Sequence, residues 1–233
     1  MSERKWFESL ATFDLETTGV DTRISRIVSA SLVTIDANGS ATASTSWLAD
    51  PEIEIPHQAT AVHGITTEQA RREGRNAREV VGEIIEAISS ALTQNMPLVV
   101  FNAPYDLSLL ANEARRHGLE PILDPRPIVD PLVIDREFNK FRRGKRTLEV
   151  LTEIYNVSLG EAHVAAEDAI AAARLAQAFA SQILDLRELS AEELHEKQIT
   201  WSKEQSASFA EYMRRTKNPN FNEEAGWPIR LST

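Results

Sequence analysis

The chain has 233 residues, 42% of them apolar, a formal net charge of −10 and no cysteine. That supports one domain with a sizeable core, excludes disulfides, thiolate metal sites and cysteine nucleophiles, and argues against coating nucleic acid through a broad basic face. With no apolar run of about 18 residues for a membrane span and no secretory-type stretch in Met1–Trp6, a cytoplasmic protein without membrane contact is expected.

Residues 8–14 read as a strand that ends in acid, and 25–36 as a long β-branched central strand. Asn38-Gly39 marks a tight turn, so Ala41 to Leu48 returns as the second arm of a hairpin. Pro51 to Pro56 is irregular. Val80, Val81, Ile84, Ile85 and Ile88 share one face of a helix predicted over 77–91. Pro97 to Phe101 is short and apolar, as a buried strand should be. Helical patterns follow at about 104–117, 147–155 and 165–185, with the proline-rich 121–130 as a connector or edge strand. A hairpin followed by strand–helix alternation predicts an α/β fold, a mixed sheet with helices on its faces. From Ser190 the composition shifts to Glu, Lys, Gln and Ser, and Ser190-Ala191-Glu192-Glu193 has the form of a capping box. The predicted division is a main domain over 1–189 and a helical C-terminal extension over 190–233.

Several acids interrupt apolar segments, where a lone carboxylate is costly to bury. Asp14 and Glu16 stand two apart on the first strand, so both leave the same face. Asp106 falls in the first turn of a helix opened by Asn102 and Pro104, where it serves either a cation or the helix dipole. Asp168 lines up with Ala172, Leu175 and Phe179 on the stripe that packs on the sheet, and the surrounding alanines permit close approach. His163, five residues earlier, falls about 140° away on a continuous helix, so it belongs in the loop before it, over the same site.

Taken together, Phe13-Asp14-Leu15-Glu16-Thr17-Thr18-Gly19, Asn102-Ala103-Pro104-Tyr105-Asp106 and His163-Val164-Ala165-Ala166-Glu167-Asp168 resemble the three motifs of the DEDDh 3'–5' exonucleases. These are the DnaQ-like relatives of the proofreading subunit of the bacterial replicative polymerase. The resemblance spans about 8–185 and includes Val62-His63-Gly64-Ile65-Thr66. Two departures stand out: Phe101 precedes Asn102 where many relatives have His, and Tyr105 replaces Phe.

The resemblance implies an RNase H-like mixed five-stranded sheet flanked by helices. It further implies that Asp14, Glu16, Asp106 and Asp168 hold two Mg2+ or Mn2+ ions, with His163 as general base. Thr17, Thr18, Gly19, His63 and Asn102 are the candidates for gripping the terminal nucleotide; for His63 a loop-stabilising hydrogen bond is the competing role. Asp130 matches a frequently acidic family position. The implied partners are nucleic-acid 3' ends, single-stranded DNA foremost, with a DNA polymerase as an associated protein. RNA ends, or a non-catalytic nucleic-acid-binding subunit, remain alternatives. The densest basic cluster is Arg136, Lys140, Arg142, Arg143, Lys145 and Arg146, either a solvated loop or, through Arg142 to Arg146, a grip on upstream phosphates. Gln205 to Phe209 loosely resembles a clamp-binding peptide.

Overall fold

The computed structural model describes residues 5–160, 163–222 and 226–230; Met1–Arg4 and part of the turn-rich tail lie outside them. Three long strands form an antiparallel meander: β1 (Ser9–Thr17), β2 (Ile27–Asp36) and β3 (Ala41–Asp50). Two short helices follow, α1 (His57–His63) and α2 (Thr67–Glu73), then β4 (Arg75–Asn76) and the amphipathic α3 (Ala77–Thr93). Next come β5 (Leu98–Val99), α4 (Ala103–Arg116), β6 (Ile128–Val129), α5 (Pro131–Phe138), α6 (Leu148–Ile154), α7 (Ala165–Gln182), α8 (Leu184–Arg187) and α9 (Ala191–Thr216). The sheet order is β4-β3-β2-β1-β5-β6. β5 and β6 run parallel to β1, which makes the sheet mixed as expected. The five expected strands are present, and the two-residue β4 joins the β3 edge as a sixth.

Alternation along β1 divides the core. Ala11, Phe13 and Leu15 face α3 and α4, where Val80, Ile84, Ile88, Leu107 and Leu110 are buried. Leu10 packs on the opposite side with Val33, Ile35 and Val99 against Ala172, Leu175, Ala176 and Phe179 of α7. The alanines of α7 let its backbone come within reach of β1: the buried Thr12 hydroxyl donates to the Ala169 carbonyl at 2.7 Å. That bond ties the strand two residues before Asp14 to the helix one residue after Asp168.

The far edge of the sheet is closed by side chains. β6 has no further strand beside it, and its polar backbone is buried. His195 Nδ1 of α9 accepts the Ile128 N–H (3.0 Å), and Gln198 accepts the Asp130 N–H (2.7 Å) and donates to the Ile128 carbonyl (3.0 Å). The i, i+3 spacing puts both on one face of α9, so a helix supplies what a neighbouring strand would otherwise give. The capping box at Ser190 and Glu193 starts this helix. Among the described residues no helix is long and apolar enough to cross a membrane.

Gln198→Leu would leave the Ile128 carbonyl and the Asp130 N–H buried without partners. The expected loss is about 2–5 kcal/mol of unfolding free energy, measured by urea denaturation. A loss under about 1 kcal/mol would mean that the edge does not depend on α9.

Candidate metal centre

β5 is only two residues long, and it pairs β1 at Ala11 and Thr12 alone. Beyond that point one side of β1 has no strand neighbour, and the chain turns into α4 instead. Asp106, in the first turn of α4 and 3% exposed, fills the gap: its Oδ1 accepts the Leu15 N–H at 3.2 Å. Leu15 lies between Asp14 and Glu16, so this bond brings the α4 carboxylate to the strand that carries the other two acids.

Asp168 enters from the first turn of α7. His163 precedes that helix in a left-handed backbone conformation (φ 64°) and donates its N–H to Asp168 Oδ2 at 3.1 Å. Its imidazole Nε2 lies 3.4 Å from Glu149 Oε1 in the first turn of α6. One ligand atom each from Glu16, His163 and Asp168 fall within 4.8 Å of one another. His163 therefore sits in the loop before the helix, beside Asp168, as its spacing predicts.

Electrostatics show how crowded the acids are. Burial pushes the Asp14 carboxyl well above its ordinary range, and Asp106, Glu16 and Asp168 push it in the same direction. Burial, then the charge of Asp168, lifts Glu16 to about 8. Asp106 is raised mainly by burial, against the pull of its backbone hydrogen bonds. Asp168 is raised by burial, with the His163 N–H and imidazole opposing. Among the described residues no Lys or Arg forms an ion pair with any of these acids. Carboxylates packed together with no protein cation suit hard divalent ions, which bind oxygen donors and offset such charge.

Of the predicted nucleotide-gripping residues, Thr17, Thr18 and Gly19 at the end of β1 are bonded within the protein. The Thr18 hydroxyl accepts the Arg26 N–H at 2.9 Å. The Tyr105 hydroxyl donates to the Gly19 carbonyl at 2.5 Å and lies 2.5 Å from the Thr17 hydroxyl, which shares that carbonyl. Burial pushes the Tyr105 phenol up to about 12, so it stays a neutral donor. The substitution of Tyr for Phe thus fastens the loop after β1 to α4.

His63 closes α1 on the other side. Its Nδ1 accepts the Ile65 N–H at 3.1 Å, the loop-stabilising role, while Nε2 is buried without a partner among the described residues. Burial lowers its pKa, and the nearby His163 adds to this while the Thr17 backbone opposes it. A neutral ring with Nδ1 accepting carries its proton on Nε2, so that nitrogen is a donor turned toward the end of β1. Asn102 takes a left-handed conformation (φ 61°) and makes no side-chain cap. Asp130 does the capping instead, accepting the Asn102 and Ala103 N–H groups at 3.0 Å together with the Trp227 indole at 3.2 Å. Asp130 is therefore a support for α4 and for the tail.

The basic cluster is partly committed. Arg142 and Arg146 both pair with the fully buried Asp135, Arg142 at 3.1 Å, and so fasten the loop after α5. Gln205 donates to the Val133 carbonyl at 3.0 Å and so ties α9 to α5. Glu149 beside His163 escaped sequence reasoning. The Thr147 cap three residues before Val150 is the signal that would have set it at a helix start.

Residues 12–176 match the family model described as Exonuclease, of the RNase T type. The chain is 27% identical over 174 residues to the PolC-type DNA polymerase III of Caldanaerobacter subterraneus subsp. tengcongensis, covering 75% of this chain and 12% of that protein. It is 34% identical over 120 residues to an uncharacterised exonuclease of Escherichia phage 186, covering 50% and 55%. The chain therefore spans about an eighth of the polymerases and just over half of the phage protein. The fold is similar to E. coli exonuclease I in complex with a dA16 oligonucleotide (TM-score 0.66, 18% identity, 77% of this chain and 42% of that one). The thermophilic exonuclease I of Methylocaldum szegediense gives a TM-score of 0.60 at 20% identity, covering 76% and 41%.

A Glu16 lifted from 4.5 to about 8 makes a signed prediction for the metal-free protein. The folded state holds that proton where an unfolded glutamate has lost it. Its stabilising contribution is therefore complete below about 4.5 and disappears as pH rises toward about 8. In chelator, the unfolding temperature should fall across this window, and Glu16→Gln should flatten the fall. Mg2+ should raise the unfolding temperature more at the upper end than at the lower. A pH-independent Mg2+ effect would contradict the cluster.

Proposed function

The chain belongs to the RNase T-type exonuclease family, and on that premise we propose that it is a metal-dependent 3'–5' exonuclease that removes nucleoside 5'-monophosphates from DNA ends. The observation that carries this reading is the convergence of Asp14, Glu16, Asp106 and Asp168 beside His163, with no Lys or Arg paired to them among the described residues.

Asp14, Glu16, Asp106 and Asp168 would hold two Mg2+ or Mn2+ ions. When bound, these supply an activated water and neutralise charge on the leaving oxygen. His163 takes the proton from the attacking water, whose oxygen bonds to phosphorus as the bond from phosphorus to the 3' oxygen breaks. The Asp168 contact to the His163 N–H sets where that imidazole stands. Thr17, Thr18 and Gly19 shape the pocket floor through their bonds to Tyr105 and Arg26. The His63 Nε2–H donates to the terminal nucleotide, and Asn102 borders its path.

DNA is favoured by the exonuclease I structures, which hold dA16 and dT13 oligonucleotides. The PolC-type relatives support association with a DNA polymerase in proofreading, with repair or turnover as the free-standing role.

The test is release of mononucleotides from end-labelled single-stranded DNA and RNA, with Mg2+ or Mn2+ and with chelator. Loss from the 3' end of DNA, stopped by chelator and abolished in Asp168→Ala, is expected. His163→Ala should lower kcat on the order of 10²–10⁴-fold, the usual worth of a general base. Equal rates for wild type and Asp168→Ala would overturn the assignment, and faster loss of RNA would transfer the activity to RNA ends.

A further inference from the structure

We propose that the groove between α9 and the segment after α5 is a binding track for single-stranded nucleic acid, delivering the strand to the candidate metal centre. This rests on the nuclease reading and names the form of its substrate. The C-terminal extension, outside the matched residues 12–176, supplies one wall.

The groove encloses about 740 Å³, and Asn102, the residue that opens α4, is part of its lining. Asp106 follows one turn later, about 6 Å along the axis at 1.5 Å per residue. One wall carries Phe141, which is 96% exposed and therefore packs on nothing. Phe209 and Tyr212 of α9 stand on the other wall, 47% and 49% exposed. Phe209 is braced edge-on by Phe221, with ring centroids 5.7 Å apart, which holds its plane before any ligand arrives. Three exposed aromatic rings in one groove are costly to leave in water, yet they are the platforms on which successive bases stack.

The charge beside them suits phosphate. Lys140 lines the groove and neutralises Glu137 at 2.9 Å. Arg230 lines it from the tail, and its Nε is buried without a hydrogen-bond partner among the described residues. The Arg230 backbone N–H donates to Ser108 of α4 at 2.8 Å, which holds this residue's backbone beside the helix that carries Asp106. Glu204 is the remaining acid in the lining. In a chain of net charge −10, cations interleaved with exposed rings favour a polyanion with flat bases over an acidic peptide, which lacks the faces to stack. A duplex would keep its bases paired and out of reach of the rings, so the occupant is a single strand.

The test measures binding apart from cleavage. Fluorescence anisotropy of labelled oligo-dT of about 16 nucleotides is recorded in chelator with the full chain over a range of salt. Phe141→Ala and Tyr212→Ala should each weaken binding about fivefold or more, with unchanged unfolding temperature, since both rings are exposed. Lys140→Gln and Arg230→Gln should each lower the salt slope by about 0.7. In a parallel Mg2+ assay, the Phe141→Ala loss of kcat/KM should be at least tenfold larger on the long oligonucleotide than on a dinucleotide. Equal affinities for wild type and the aromatic variants, or no binding by wild type, would overturn the track and return the groove to a protein partner. The chelator arm reads binding even if the Mg2+ arm shows no cleavage, so failure of the track and failure of the nuclease reading remain distinct.

Discussion

Burial of four neighbouring carboxylates is the constraint around which this molecule is arranged. Asp14, Glu16, Asp106 and Asp168 each have a raised pKa, and burial is the first cause for every one. Charged groups this costly to bury stay in place only if the scaffold fixes them independently. Thr12 bonded to Ala169 fixes strand against helix on one face, and Asp106 bonded to Leu15 does so from the other. The site is thus pre-organised at the expense of its unliganded stability, a common feature of functional centres.

The supports of the site lie one layer further out. Asp130 holds the start of α4 and receives the Trp227 indole through its carboxylate, while its backbone N–H donates to Gln198, so one buried residue links a helix cap, the sheet edge and the tail. Tyr105 does comparable work at the end of β1, where its hydroxyl draws the Gly19 loop against α4. Mixed use of acids is evident: four are gathered where, among the described residues, no Lys or Arg pairs with them, whereas Asp135 is clasped by two arginines.

Much of this arrangement was legible in the sequence because it is written in local periodicity. An acid-ended apolar strand, a β-branched run and the Asn38-Gly39 turn marked β1 to β3, the Val80 to Ile88 stripe marked α3, and an acid on an alanine-rich stripe singled out Asp168. The five-residue offset of His163 was enough to set it in a loop. What escaped lacks such periodicity. No residue of α1 is buried, so it leaves no apolar stripe to read, and α5 starts from the Asp130 cap just after a proline-rich stretch. The arginine-rich loop looked like free positive charge because the Asp135 that engages it lies several residues upstream and is identifiable only in three dimensions. The Tyr105 bond to the Gly19 loop spans 86 residues and has no sequence signature.

The way α9 seals β6 also bears on self-association. A strand with open donors and acceptors is a template on which further chains can add. Here His195 and Gln198 spend those groups internally, so growth of the sheet into intermolecular ribbons is blocked on that flank. Were α9 detached, the same donors and acceptors would stand open and that flank would become adhesive.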